Sequence, residues 1–314
     1  MRSRFAPLIL CLAMVAATLV ALPAMAQSNA EEEAERRAGQ TKAWPGSAKV
    51  LFGQKNTPAS LEARAIGSYA RGCLAGATAL AIDGPSWQVM RLNRNRNWGH
   101  PDLIAYLEEL AKAVPRINGW PGILVGDVSQ PRGGPMLTGH ASHQVGLDAD
   151  IWLTPMPRAR LNKDQRENMS ATNMARPDWM DVDTNVWTAS HTKLIRAAAS
   201  EARVARIFVN PALKKAMCRD AGGDRAWLSK VRPMWGHNYH FHIRMACPRG
   251  EAGCADQAPP PDGDGCGQEL IDWLSTQHKA IFGPKKPPNP NAKPKPPMSL
   301  DALPAECRQV LVSR

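Results

Sequence analysis

Three short signatures are missing from this sequence of 314 residues. There is no His-Glu-x-x-His, which excludes the helical zinc-protease pattern. There is no Cys-x-x-Cys, which argues against a metal held by thiolates. Ser142 stands in Gly-His-Ala-Ser-His rather than Gly-x-Ser-x-Gly, so no serine nucleophile on a strained elbow is expected. Acidic residues are the minority, 28 Asp plus Glu against 39 Lys plus Arg, for a formal charge of +11. No basic helix and no interleaved aromatic ladder accompanies that charge, so nucleic acid is not the expected partner. At 44% hydrophobic and 21% charged, the composition excludes collagen, a long coiled coil and a polytopic membrane protein, yet it can fill a core.

The first 26 residues carry Arg2 and Arg4, an apolar run from Ala6 to Leu22, and Ala24-Met25-Ala26. That order reads as a signal peptide cut after Ala26, which places the mature chain in the periplasm with no stable membrane insertion. Removal takes away Cys11 and two arginines, leaving six cysteines and a charge of +9 (37 basic minus 28 acidic). An even cysteine count in an oxidising compartment implies disulfides, and six cysteines allow 15 pairings. Cys247 and Cys254 enclose only Pro-Arg-Gly-Glu-Ala-Gly, so a local bridge is easy there. A basic exported chain suits an anionic membrane surface or an anionic wall polymer.

Residues 27–45 form a polar lead-in, 46–280 are expected to form one domain, and 281–314 hold a Lys/Pro-rich linker (283–298) and a terminal segment. Cys307 lies beyond that linker and needs a partner in the body, for which Cys73 is the natural candidate. A helix is expected from Pro101, with Leu103, Ile104, Leu107, Leu110 and Ala111 on one face. Ile123–Val128, Gly146–Leu153, Arg206–Val209 and His240–Cys247 read as strands, and Thr188–Ala202 and the stretch from Pro211 as helices. Helices and strands do not alternate regularly, so the expected class is α+β with a central, mainly antiparallel sheet.

Five of the eight histidines fall in two short clusters, His140/His143 and His237/His240/His242. On a strand, His240 and His242 project to one face, as do Asp148 and Asp150. His143 lies in the turn ahead of Asp150, and Gly146 lets that turn bend back toward the strand. Two imidazoles and one carboxylate around a divalent ion, with a fourth position left for water, suit catalytic zinc. An unligated histidine nearby can serve as a base. His100, His191 and His278 stand alone and read as surface or capping residues.

The His-x6-Asp and His-x-His pattern, at His143/Asp150 and His240/His242, resembles the superfamily of zinc D-Ala-D-Ala peptidases and lysostaphin-like lysins. Longer blocks narrow the likeness: SQPRGGPMLTGHASHQVGLDADIW, RIFVNPALKKAMC, KVRPMWGHNYHFHIRMACP and GDGCG resemble the penicillin-insensitive murein endopeptidases. The resemblance implies a Hedgehog/DD-peptidase-like fold stapled by disulfides, with hydrolysis of D-alanyl–meso-diaminopimelate cross-links in peptidoglycan. It implies Zn²⁺ held by His143, Asp150 and His242. His240 would be the base or an intermediate stabiliser, and His237 an assistant. His140 would line the site or touch a second metal, with Asp178 and Asp181 as further candidates for that ion. It also implies the bridges Cys73–Cys307, Cys218–Cys266 and Cys247–Cys254. Arg132, beside Gly133-Gly134, is expected to hold a substrate carboxylate. A D-Ala carboxypeptidase of the same superfamily and a wall-binding module without turnover are the alternatives, and a homodimer stays open.

Overall fold

The computed structural model describes residues 46–285, 287 and 296–314. The expected signal peptide (1–26), the lead-in (27–45) and the centre of the Lys/Pro-rich segment (286 and 288–295) lie outside the described residues. In chain order the strands are β1 (Arg64–Ser68), β2 (Arg71–Ala75), β3 (Thr78–Ala79), β4 (Trp87–Val89), β5 (Trp98–Gly99), β6 (Ile123–Val125), β7 (Asp148–Trp152), β8 (Val204–Val209), β9 (Val231–Pro233) and β10 (His240–Met245). The helices are α1 (Ala48–Gly53), α2 (Pro101–Asn118), α3 (Lys163–Asn168), α4 (Ala189–Ser200), α5 (Pro211–Asp220), α6 (Gln268–Phe282) and α7 (Glu306–Val312).

Six strands form the main sheet in the order β4-β6-β7-β10-β8-β9. Its three inner pairings are antiparallel and the pairing at each edge is parallel, so the sheet is mixed. β7 and β10 are buried along their whole length. Alternation divides their side chains into two sets. Ala149, Ile151, Phe241 and Ile243 face the core, where they meet Leu103, Leu107 and Ala111 of α2 and Leu194, Ile195 and Ala198 of α4. Asp148, Asp150, His240, His242 and Arg244 share the opposite face.

Helix α2 starts and stops where local chemistry dictates. His100 accepts from the Asp102 amide as the cap, Pro101 takes the first turn, and Gly119 ends the helix at φ +83°. His191 lies in the first turn of α4, where it accepts from the Thr188 amide and its Nε2 meets the Leu153 carbonyl; His278 is exposed. All three expected bridges are present: Cys73–Cys307, Cys218–Cys266 and Cys247–Cys254. The first ties α7 to β2, so the terminal segment does return to the body.

Arg132 corrects one expectation. Its Nη1 donates to the carbonyls of Val310, Leu311 and Ser313 at 2.9, 2.9 and 2.5 Å, and its Nε to Thr57 at 3.0 Å. The guanidinium caps the open carbonyls at the end of α7, where positive charge is favourable, and it is not placed to meet a substrate. Among the described residues no helix is long and apolar enough to cross a membrane.

Candidate metal centre

The strand register builds the site. His242 of β10 pairs directly with Asp150 of β7, and Arg244 with Asp148. Cross-strand partners on one face stand about 5 Å apart, within reach of each other's side chains. His143 arrives from the preceding turn, in a left-handed conformation at φ 66° that few non-glycine residues adopt. Three contacts hold it there. Its amide donates to Asp148 Oδ2 at 2.9 Å, its carbonyl accepts from Ser129 Oγ at 2.6 Å, and its Nδ1 donates to the Val128 carbonyl at 2.6 Å. Gly146, at φ +70°, closes the same turn; a Cβ there would meet Leu74 at 2.4 Å and the His100 amide at 2.9 Å.

The result is one carboxylate ringed by imidazoles. Asp150 is 4% exposed. Its Oδ1 lies 3.5 Å from His143 Nε2, 3.2 Å from His242 Nδ1 and 3.6 Å from His240 Nε2, and its Oδ2 lies 3.5 Å from His140 Nε2. Because His143 Nδ1 must carry its proton to meet a carbonyl, its Nε2 is a bare lone pair. That Nε2 and Asp150 Oδ1 are both buried without a hydrogen-bond partner. Two unpaired acceptors aimed at each other in a dry site are costly, and a shared cation would satisfy both. The donor atoms of His140, His143 and Asp150 all lie within 4.8 Å of one another, so these residues could hold a metal.

A second tier of charge braces that group. Asp148 receives Arg244 at 2.8 and 3.1 Å and lies 3.0 Å from His242 Nε2. Arg244 is itself stacked over Tyr69, with its carbon 4.2 Å from the ring centroid. Asp127 takes Arg96 at 2.7 Å, Arg94 at 3.1 Å and His140 at 3.1 Å. Metal-binding histidines ordinarily lean on such carboxylates through their second nitrogen. Burial would raise the carboxyl groups of Asp127 and Asp150. The Arg96 and Arg94 guanidiniums for the first, and the surrounding imidazoles for the second, outweigh burial and hold both well below the usual range. Burial pulls His242 down, but Asp148 and Asp150 prevail and push it up to about 9. Burial takes His240 down to about 4 and lowers His143.

His237, His240, His242 and His140 also line a cleft of about 720 Å³ that carries Trp235, Tyr239, Phe208 and Leu137 on its walls. His237 sits at φ 54°, its Nδ1 against the Trp235 carbonyl at 2.7 Å and its ring 4.8 Å from that of His240. The structure therefore brings together His140, His143, Asp150, His237, His240 and His242.

It does not bring Asp178 and Asp181 to them. Asp178 is half exposed and pairs with Arg176 at 2.7 Å; Asp181 pairs with Lys215 at 3.3 Å and Arg219 at 3.2 Å. The turn folds back on itself, Arg176 donating its amide to the Asp181 carbonyl, and both carboxylates find their partners within or beside that turn. Sequence reading overlooked Asp127, whose only local mark is an acid ending an apolar run, and the bracing role of Asp148 and Arg244. Asp-x-Asp facing His-x-His-x-Arg carried that second signal.

The site's residues fall inside a longer match. A family model described as penicillin-insensitive murein endopeptidase covers residues 65–312. A protein of that name from Haemophilus influenzae is 48% identical over 255 residues, 80% of this chain and 84% of its own. The namesake from Klebsiella pneumoniae subsp. pneumoniae is 41% identical over 267 residues (85% and 93%). That from Yersinia enterocolitica is 40% identical over 267 residues (85% and 92%). With a match spanning both histidine clusters and all but the chain's ends, this protein belongs to the penicillin-insensitive murein endopeptidase family.

Proposed function

We propose that this chain is a zinc endopeptidase that hydrolyses D-alanyl–meso-diaminopimelate cross-links of peptidoglycan in the periplasm, insensitive to penicillin, after removal of residues 1–26. The observation that carries the reading is the pair of buried, unpartnered acceptors, His143 Nε2 and Asp150 Oδ1, facing each other beside an open cleft. The ion would be held by His143 Nε2, Asp150 and His242 Nδ1. His242 Nε2 lies 3.0 Å from Asp148 Oδ1, whose charge favours a proton on that nitrogen, so Nδ1 is the nitrogen that would give up its proton to an ion, whereas the Nε2 of His140 is engaged by Asp127. When bound, zinc supplies the charge that polarises a carbonyl and acidifies water.

The chain's own groups do the rest. The cleft seats the scissile amide along β10. His240, kept neutral by burial, accepts a proton from the attacking water and delivers one to the departing amine. His237 is also neutral, and with its Nδ1 proton on the Trp235 carbonyl its Nε2 is an acceptor. It therefore orients water rather than donating to the oxyanion. Asp148 and Asp127 hold the rings of His242 and His140 in place through their charge.

Purified cross-linked muropeptide dimers decide the matter. The expected result is conversion to monomers in the presence of penicillin, loss of that activity on chelation and its return with zinc. Release of free D-alanine without monomers would instead mark a carboxypeptidase. Binding to sacculi with no soluble product would mark a wall-binding module.

A further inference from the structure

The geometry points to a sugar-binding platform at the mouth of the cleft, made by Trp235 and Trp273. Trp235 is 40% exposed, a large apolar surface left in water on the wall of the candidate active-site cleft. Trp273 of α6 flanks it, with ring centroids 6.1 Å apart and planes at 61°. Neither the cleft chemistry nor the core accounts for this pair.

The two rings are held by a buried polar clamp. Asn210, fully buried, donates from Nδ2 to the Gly236 carbonyl at 2.9 Å and to Gln277 Oε1 at 2.9 Å. Its own amide donates to the His237 carbonyl at 3.0 Å. Gln277, one turn beyond Trp273 on α6, is 1% exposed and donates to the Trp179 carbonyl at 3.1 Å. The clamp thus locks the helix carrying Trp273 to the loop carrying Trp235. An exposed Trp235 beside a half-buried Trp273, both fixed in advance, loses little freedom when a ligand covers it, which is the property of a binding surface.

The composition of the loop that carries Trp235 selects the ligand class. Residues 234–239 read Met-Trp-Gly-His-Asn-Tyr, with no Asp, Glu, Lys or Arg. Peptide stems carry carboxylates and amines; the charged residues lining the cleft are Lys49 and Arg244, and the loop that carries Trp235 offers no charge to read such groups. A neutral ring with an apolar C–H face and hydroxyls at its edge matches indole faces. The occupant is therefore an N-acetylated hexopyranose of the glycan strand that bears the cross-linked peptides. This inference rests on the endopeptidase reading above.

The test compares two substrates: dimeric muropeptides that retain their disaccharides, and the same dimers stripped of sugar by an amidase. The zinc-loaded wild-type enzyme should show a lower KM for the sugar-bearing dimer. Trp273→Ala should raise that KM about fivefold to tenfold, with kcat little changed and the stripped dimer unaffected, and Trp235→Ala, on the cleft wall itself, should raise the KM of the sugar-bearing dimer by more than that of the stripped one. Trp235→Phe should restore most of the preference. Trp273 lies on a helix remote in sequence from the catalytic loop, so its variant separates sugar binding from any disturbance of His237. Equal KM values for both substrates in the wild type, or an equal rise on both in the variants, would overturn the platform. Failure of the wild type to cut either dimer would instead overturn the endopeptidase reading.

Discussion

Asp148→Asn tests how far the buried carboxylate beneath the metal centre sets affinity. Asp148 accepts from the His143 amide at 2.9 Å and from Arg244 at 2.8 and 3.1 Å, and it lies 3.0 Å from His242 Nε2. An asparagine offers one acceptor oxygen in place of two, so its amide nitrogen must face either Arg244 and His242 or the His143 amide. If it faces His242, that ring flips its proton to Nδ1, where the metal needs a lone pair. Loss of such a brace lowers metal affinity about 10- to 100-fold, or ~1.4–2.7 kcal/mol. Separately, Arg244 is left half-paired in a dry site, and breaking a buried pair costs about 3–5 kcal/mol. At roughly 2–4 °C per kcal/mol, the metal-free protein should melt about 6–20 °C lower. Chelator competition gives the zinc Kd, and differential scanning calorimetry of the metal-free protein gives the melting temperature. The double variant Asp148→Asn/Arg244→Met removes the stranded charge, so it should regain stability without regaining zinc affinity. Wild-type zinc affinity in Asp148→Asn would refute the bracing argument.

Other substitutions separate the remaining roles. His242→Ala should abolish stoichiometric zinc by elemental analysis, while His140→Ala should keep it; the reverse pattern would make His140 the third ligand. Arg132→Ala leaves four carbonyls without their donor, at about 1–3 kcal/mol for each that stays buried. It should melt well below the wild type yet keep its kcat/KM on cross-linked dimers at low temperature within about twofold, and a selective rise in KM would restore the substrate-carboxylate role. Lys214 is fully buried, and burial first, with Arg232 nearby, pushes its pKa down to about 7 from 10.5. Between those values the unfolded chain binds the extra proton, so this lysine makes stability rise with pH across the window. Denaturant titrations of Lys214→Met and wild type should therefore show the wild type gaining on the variant from pH 7 to 10, and parallel curves would sink the assignment.

Much of the centre could be read without coordinates because it depends on local periodicity. Alternation along a strand puts His240 with His242 on one side of β10, and Asp148 with Asp150 on one side of β7, whatever the rest of the chain does. Pro101 and Gly119 bracket α2 through backbone constraints that are equally local. The sequence did not reveal which side chains each charge would meet. Arg132 and Arg244 look alike in sequence. One ends on the carbonyls of α7, far along the chain, and the other under His242, because strand register and the docking of the terminal segment decide their neighbours. The family resemblance offered Asp178 and Asp181 as candidates for a second ion, and only the fold showed that Arg176, Lys215 and Arg219 stand beside them.

The sequence by itself determined the donor types, their spacing and the parity that sets each on its face. Only the tertiary structure decided that Asp150 would stand opposite His242 and that Asp127 would hold His140. It also decided that Trp273 from a separate segment would meet Trp235 of the cleft wall. Spacing along a strand is covalent geometry and is the same in any fold. Pairing across strands and helices is a choice among many registers, settled by which one buries the apolar face and leaves no charge unmatched.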